Sequence, residues 1–234
     1  MYFAKYLKKF NYEPIIITVD QNQASYSNRD QSLEKEVEQI RVIRTATREP
    51  LKFYSFLMSG NWNKLIPQGE LKSKGIFSKL AAYIRGNYFI PDARKGWIPY
   101  ALKAAEKLLM EEKISYLITT GPPHSTHITG LNLKKKFEIN WWVDFRDPWT
   151  DIFYNKHFYR TKKTIYKDKK LEMEVIQNAD GIITTLAGRL YETLKLKAPN
   201  KKIITLPNGY DKDLIERVKA SPEKANFHIV YAGL

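Results

Sequence analysis

Cysteine is absent from these 234 residues, which excludes a disulfide scaffold, a thiolate zinc site and a cysteine nucleophile. Long apolar runs are absent as well. No window approaches the roughly 18 consecutive apolar residues of a membrane-spanning helix, and the first ten residues, with Lys at 5, 8 and 9, lack the apolar block of a secretory signal. Acid is scarce: 25 Asp plus Glu face 39 Lys plus Arg, a formal charge of +14. Core-forming side chains are plentiful, at 43% hydrophobic and 13% aromatic, so disorder is excluded as the main description. The length exceeds a common 100–200-residue domain without reaching two, so one large domain, or one plus a piece, is expected. Together these features predict a strongly basic, cytoplasmic, globular protein.

Such a charge has three usual partners: nucleic acid, anionic lipid and phosphorylated small molecules. Composition does not choose among them. Lys and Arg occur in nearly every block of ten, so much of the charge is solvated surface. There is no GxxxxGK[ST] loop, RNP motif or paired Cys/His spacing, so nucleic-acid binding would rest on charge alone.

Hydrophobic periodicity orders the elements. Residues 1–10 read as a helix and 14–19, Pro-Ile-Ile-Ile-Thr-Val, as a buried β-branched strand. A polar loop over 21–35 precedes a short strand at 39–45. Between 50 and 95 the pattern is irregular, with helical pieces at 51–58 and 76–85. Regular alternation then sets in: helix 96–113, strand 115–120, helix 124–136, strand 140–145, helix 160–178, strand 181–185, helix 187–196 and strand 202–206. Strand–helix alternation with short connections predicts an α/β fold, a doubly wound, mostly parallel, Rossmann-like sheet. Ligands in such sheets sit beyond the carboxyl ends of the strands. That rule points to residues 121–125, 146–149, Leu186 and 208–209. The segment 227–234 reads as a further strand.

At the first of these places Gly121, Pro122 and Pro123 fix a turn, Ser125 or Thr126 can cap the next helix, and His124 can donate to a sugar or phosphate oxygen. A rigid strand–helix turn would carry the same residues. His124 and His127 with Asp144 and Asp147 would make a two-His, two-carboxylate metal site, but no metal-ligand spacing supports it, and no metal or cofactor is expected. At the second place Asp147 can accept a proton from an attacking hydroxyl, Arg146 can clamp a phosphate or carboxylate, and Trp149 can offer a flat face to a sugar ring. An Asp–Arg pair that pins a loop would look the same. Asn208 and Gly209 form a turn at the cleft. The stretch 153–170 holds seven Lys or Arg, one acid and five Phe or Tyr, the make-up of a helix lying on anionic headgroups through Lys162, Lys163 and Lys167. It would also suit single-stranded nucleic acid or plain solvated surface.

Taken in order, TTGPPHSTHITGL (119–131), WWVDFRDPWTD (141–151), NADGIITTLAGRLYETL (178–194), TLPNGYD (205–211) and FHIVYAGL (227–234) resemble the N-terminal half of a GT-B glycosyltransferase of the family 4 (group 1) type. The resemblance runs from about Pro91 onward. It implies transfer of a sugar from a nucleotide-sugar donor to a glycan or lipid-linked acceptor in cell-surface polysaccharide synthesis, with retention and without an essential metal. It implies an acceptor-side domain over 1–207, a linker over 208–226 and, at 227–234, the first strand of a donor-binding domain. Asp147 and Arg146 become the catalytic candidates. Gly121, Pro122, His124, Ser125 and Trp149 become acceptor-binding, Asn208 and Gly209 line the cleft, and nucleic acid is not a partner. Many relatives carry a His at the strand end occupied here by Phe145-Arg146-Asp147, and this sequence has none there. The family's first strand and Gly-rich turn, which precede the helix of 1–10, and nearly all of its donor domain are missing. The sheet is therefore expected to have a gap between central neighbours, and the chain to be a piece that is inactive alone, peripheral on the inner face of the plasma membrane. A reading of another class remains beside it: a non-catalytic basic module that binds an anionic membrane or nucleic acid.

Overall fold

A computed structural model describes residues 2–24, 38–48, 76–185 and 187–216. The expected features at 51–58, at Leu186, at 227–234 and in the linker beyond 216 lie outside the described residues.

The chain opens with α1 (Tyr2–Leu7), extended by one 3-10 turn (Lys8–Phe10) that ends on Asn11 in the left-handed region. The β-branched run then forms β1 (Ile15–Val19), which pairs in parallel with β2 (Arg41–Thr45), Ile15 opposite Arg41 and Val19 opposite Thr45. After α2 (Ile76–Tyr88) and a 3-10 turn at Lys95–Trp97 comes α3 (Ile98–Glu111), with Pro99 in its first turn where the missing N–H costs nothing. The rest alternates: β3 (Tyr116–Gly121), α4 (Ser125–Lys136), β4 (Asn140–Phe145), α5 (Lys162–Asn178), β5 (Gly181–Thr184), α6 (Arg189–Lys197) and β6 (Ile203–Thr205), then a short α7 (Lys212–Glu216). Strands β3 to β6 form one parallel sheet in that order. The fold is α/β with a parallel, Rossmann-like sheet flanked by helices.

Alternation along β4 decides which face is covered. Trp141, Val143 and Phe145 point into a core shared with Leu131 of α4, Val175 and Ile176 of α5, Ile182 of β5 and Leu194 of α6. Three helices therefore cover the same face, and each of these large side chains, fully buried, contributes about 1.5–3 kcal/mol. The indole of Trp141 lies on the backbone of α4 at Gly130, where a Cβ would come within 2.5 Å of the ring. A glycine inside a helix costs about 1 kcal/mol against alanine, and this contact is what requires it. On β3, Thr119 and Gly121 are buried on the helical side while Tyr116, Ile118 and Thr120 on the other side are exposed.

The two sheets stand side by side without a shared ladder. At the strand starts, the Tyr12 ring meets Tyr116 edge-on with centroids 6.3 Å apart. At the strand ends, residues 92–97 bridge them: Trp97 Nε1 donates to Thr45 Oγ1 (2.7 Å), and Asp92 Oδ2 accepts from the backbone N–H of Ser125 (2.7 Å). All strands thus run the same way, and α3 packs on β1 and β2 as well as on α4. The facing edges of β1 and β3 are left without a ladder partner among the described residues.

Candidate functional site

The carboxyl ends of β3, β4 and β6 converge on Arg146. Its Nε donates to Asp144 Oδ2 (2.7 Å) and its Nη1 to Asn208 Oδ1 (2.9 Å), with a longer contact to the Leu206 carbonyl (3.5 Å). Asp144 and Arg146 share a side of the chain because residues two apart do so in a strand. Thr185 at the end of β5 donates its hydroxyl to the Arg146 carbonyl (3.3 Å) and the Arg146 N–H donates to the Gly121 carbonyl of β3 (3.0 Å), so β3 and β5 hold the backbone of the residue whose guanidinium is held from β4 and from the segment after β6. Its Nη2 takes no part in these bonds. Burial raises the Asp144 pKa, and the bond and charge of Arg146 pull it back. Beside this pair Asp147 is exposed, thrown outward where Pro148 ends the strand. Its charge adds to the effect of burial in raising the pKa of Tyr154.

The Gly121–Ser125 turn has a different character. His124 is buried and stacks on Trp149 with ring centroids 4.9 Å apart and planes within 3°. His127 lies fully buried behind it, 5.6 Å from His124 between centroids and 5.0 Å from Phe145. Trp141 Nε1 donates to Thr119 Oγ1 (3.0 Å), which lies 2.9 Å from His127 Nδ1. A hydroxyl that accepts from the indole can donate its own proton to Nδ1 when the imidazole hydrogen is on Nε2, or accept from Nδ1 in the other tautomer. A Cβ on Gly121 would stand 2.5 Å from that Nε2 and 3.0 Å from His124 Nδ1. Gly121 is there because the rings occupy the space of a side chain. Burial, offset only in part by a bond with the Pro148 backbone, lowers the His124 pKa to about 4. Burial, then the charge of His124, lowers that of His127 well below its usual value. Both rings are neutral at pH 7.

Several candidates therefore sit elsewhere than on an open surface. Trp149 is buried, its ring on His124 and its Nε1 donating to Asp168 (2.9 Å), so it presents no face to solvent. Ser125 is fully buried, and the N-terminus of α4 that could have drawn a phosphate already holds the Asp92 carboxylate. Burial raises the Asp92 pKa against the lowering by backbone bonds from Ser125 and Arg94. Pro122, Asp147, Asn208 and Gly209 are exposed, and Arg146 half-buried, at one end of the sheet. Lys162, Lys163 and Lys167 are exposed on the first two turns of α5. Among the described residues no group of three or more His, Asp and Glu gathers in a way that could hold a metal ion. No helix among them is long and apolar enough to cross a membrane.

Sequence reasoning missed Asp92, which lies in the stretch with the least pattern and meets its partner 33 residues on. It also missed the ties that position the 146–151 loop. Asp168 holds Trp149 and Arg160, and Glu172 holds Thr150 (2.5 Å) and Lys197 (2.9 Å). The signal was present: Asp168 and Glu172 share the inward face of α5 with Thr164 and Val175, and acids at core positions of a helix require partners.

Neither family models nor curated proteins nor solved structures give a match to this chain.

Proposed function

We propose that this chain supplies the acceptor side of a sugar transfer from a nucleotide-sugar donor to a glycan or lipid-linked acceptor. One observation carries the reading: an exposed carboxylate, Asp147, stands next to a guanidinium held by Asp144 and Asn208 with Nη2 uncommitted, at the carboxyl end of a parallel sheet. The residue series that resembles a family 4 GT-B enzyme supports it. In this reading Arg146 Nη2 takes a phosphate or pyrophosphate oxygen of the ligand. Asp147 accepts the proton of the attacking hydroxyl as its oxygen bonds to the anomeric carbon, and the bond to the nucleoside diphosphate breaks with its electrons on the phosphate. His124, neutral and stacked, and Trp149 act from behind by fixing the strand ends.

Saturation-transfer NMR with phosphate- and pyrophosphate-linked glycans tests this. Signals from such glycans are expected with the chain as it stands. They should weaken about tenfold or more with Arg146→Ala, the loss of a charge-assisted bond, and survive Asp147→Asn, which removes the base and keeps the clamp. A panel that gives no signal, or one indifferent to Arg146→Ala, overturns the reading.

A further inference from the structure

Helix α5 sorts its charges by face. Its acids are engaged: Asp168 by Arg160, Glu172 by Lys197 and Glu174 by Lys135. Lys163, Lys167 and Lys170 are exposed and have no carboxylate partner among the described residues. Their spacing of four and three makes one stripe along the helix. Tyr166 is flanked by that stripe and is 71% exposed.

The packing of α2 widens the stripe into a surface. Asn87 donates from Nδ2 to the Tyr159 carbonyl (3.2 Å) and accepts at Oδ1 from the Thr161 N–H (2.8 Å), which fastens the end of α2 to the start of α5. Gly86 permits the approach, since a Cβ there would meet the Phe158 carbonyl at 2.5 Å. Tyr88, 65% exposed, and Tyr159, 55% exposed, are thereby brought to the beginning of the stripe. Lys95 donates to the Tyr88 carbonyl. Partial burial, then the charge of Lys167, lowers its pKa, and the Asp92 carboxylate offsets this only in part, so ammonium groups are crowded here.

Uncompensated lysines interleaved with outward-turned tyrosines have one complement that satisfies both. Lysine stems lie along apolar surface while their heads reach phosphate, and tyrosine rings settle at the headgroup boundary of a bilayer. Single-stranded nucleic acid is held instead in a groove that tracks its backbone, whereas these rings stand on an open helix flank. We infer that the flank formed by Tyr88, Tyr159, Lys163, Tyr166, Lys167 and Lys170 docks the protein on a bilayer rich in anionic phospholipid. Neither Arg146 nor Asp147 belongs to this surface, and its test does not depend on sugar transfer.

The experiment is sedimentation of the 234-residue chain with extruded vesicles of phosphatidylglycerol and phosphatidylcholine in equal parts, against phosphatidylcholine alone. Binding is expected to the first and to be far weaker to the second. Lys163→Gln with Lys167→Gln should lower the partition about 30-fold. Tyr159→Ser with Tyr166→Ser should lower it severalfold at unchanged net charge. Lys167→Gln with Lys170→Gln reads the same stripe if circular dichroism shows the first lysine pair unfolded. The inference is overturned by equal binding to both vesicles, by lysine variants that bind as well as the parent, or by an oligothymidylate bound through these lysines while the anionic vesicles are not.

Discussion

At the residue scale the two buried histidines give the protein an acid-sensitive interior. His124 has a folded pKa of about 4 and an ordinary value near 6.5 when unfolded. Between those values the unfolded chain binds more protons, so stability rises with pH from about 4 to 6.5 and is lost on the way down. A shift of this size corresponds to on the order of 3 kcal/mol. His127 acts in the same direction. Asp92 and Asp144, whose folded pKa values are raised, act in the opposite one, binding protons in the folded state first and gaining stability as pH falls. The histidine contribution is separated by His124→Phe, which keeps a ring on Trp149 and removes one titration. Urea unfolding from pH 4 to 7 should show a shallower loss in the variant than in the parent. Equal slopes would mean that His124 is not desolvated. The turn around His124 was legible in the sequence as Gly-Pro-Pro after a strand. Its ring's burial was not, because that depends on Trp149 folding back from the end of β4.

At the element scale, α5 holds the 146–151 loop through acids that point inward. Arg160 and Asp168 are almost wholly removed from water, with side chains 7% and 3% exposed. Removing one partner of such a pair leaves a bare buried charge and costs about 3–5 kcal/mol, whereas replacing both with apolar residues costs much less. Asp168→Ala should therefore destabilise by that amount in urea unfolding, and Arg160→Leu with Asp168→Leu by less than either single change. A loss below about 1 kcal/mol for Asp168→Ala, the range of a surface pair, would show that the loop is held by other contacts. Helix and strand positions between 96 and 206 were legible within a residue or two, since apolar periodicity is a local property of the chain. The 3-10 turn at Phe153–His157 was not, because its edge-on rings and the bonds from Asn155 to Trp149 and Thr150 are made only once the loop is seated.

At the scale of the whole molecule the decisive feature is that the parallel strands form two sheets. β4 and β5 are buried and paired on both sides, but β1 and β2 carry no fully buried side chain and, among the described residues, pair only with each other. A two-stranded pair is marginal without packing, and here it leans on α3. Hydrogen exchange should therefore divide the molecule: amides of β1 and β2 are expected to exchange about tenfold or more faster than those of β4 and β5. Equal protection would show that the sheets unfold as one unit. The sequence by itself determined the class of fold, the order of its strands and helices and which residues stand at the strand ends. Those follow from periodicity, turn residues and the chirality of parallel connections, all written along the chain. Only the tertiary structure decided that Asp92 rather than a ligand meets the N-terminus of α4, that Trp149 faces inward and that Arg146 is held by Asn208. Each of these depends on groups distant in sequence meeting in space, and on whether burial leaves a polar group a partner.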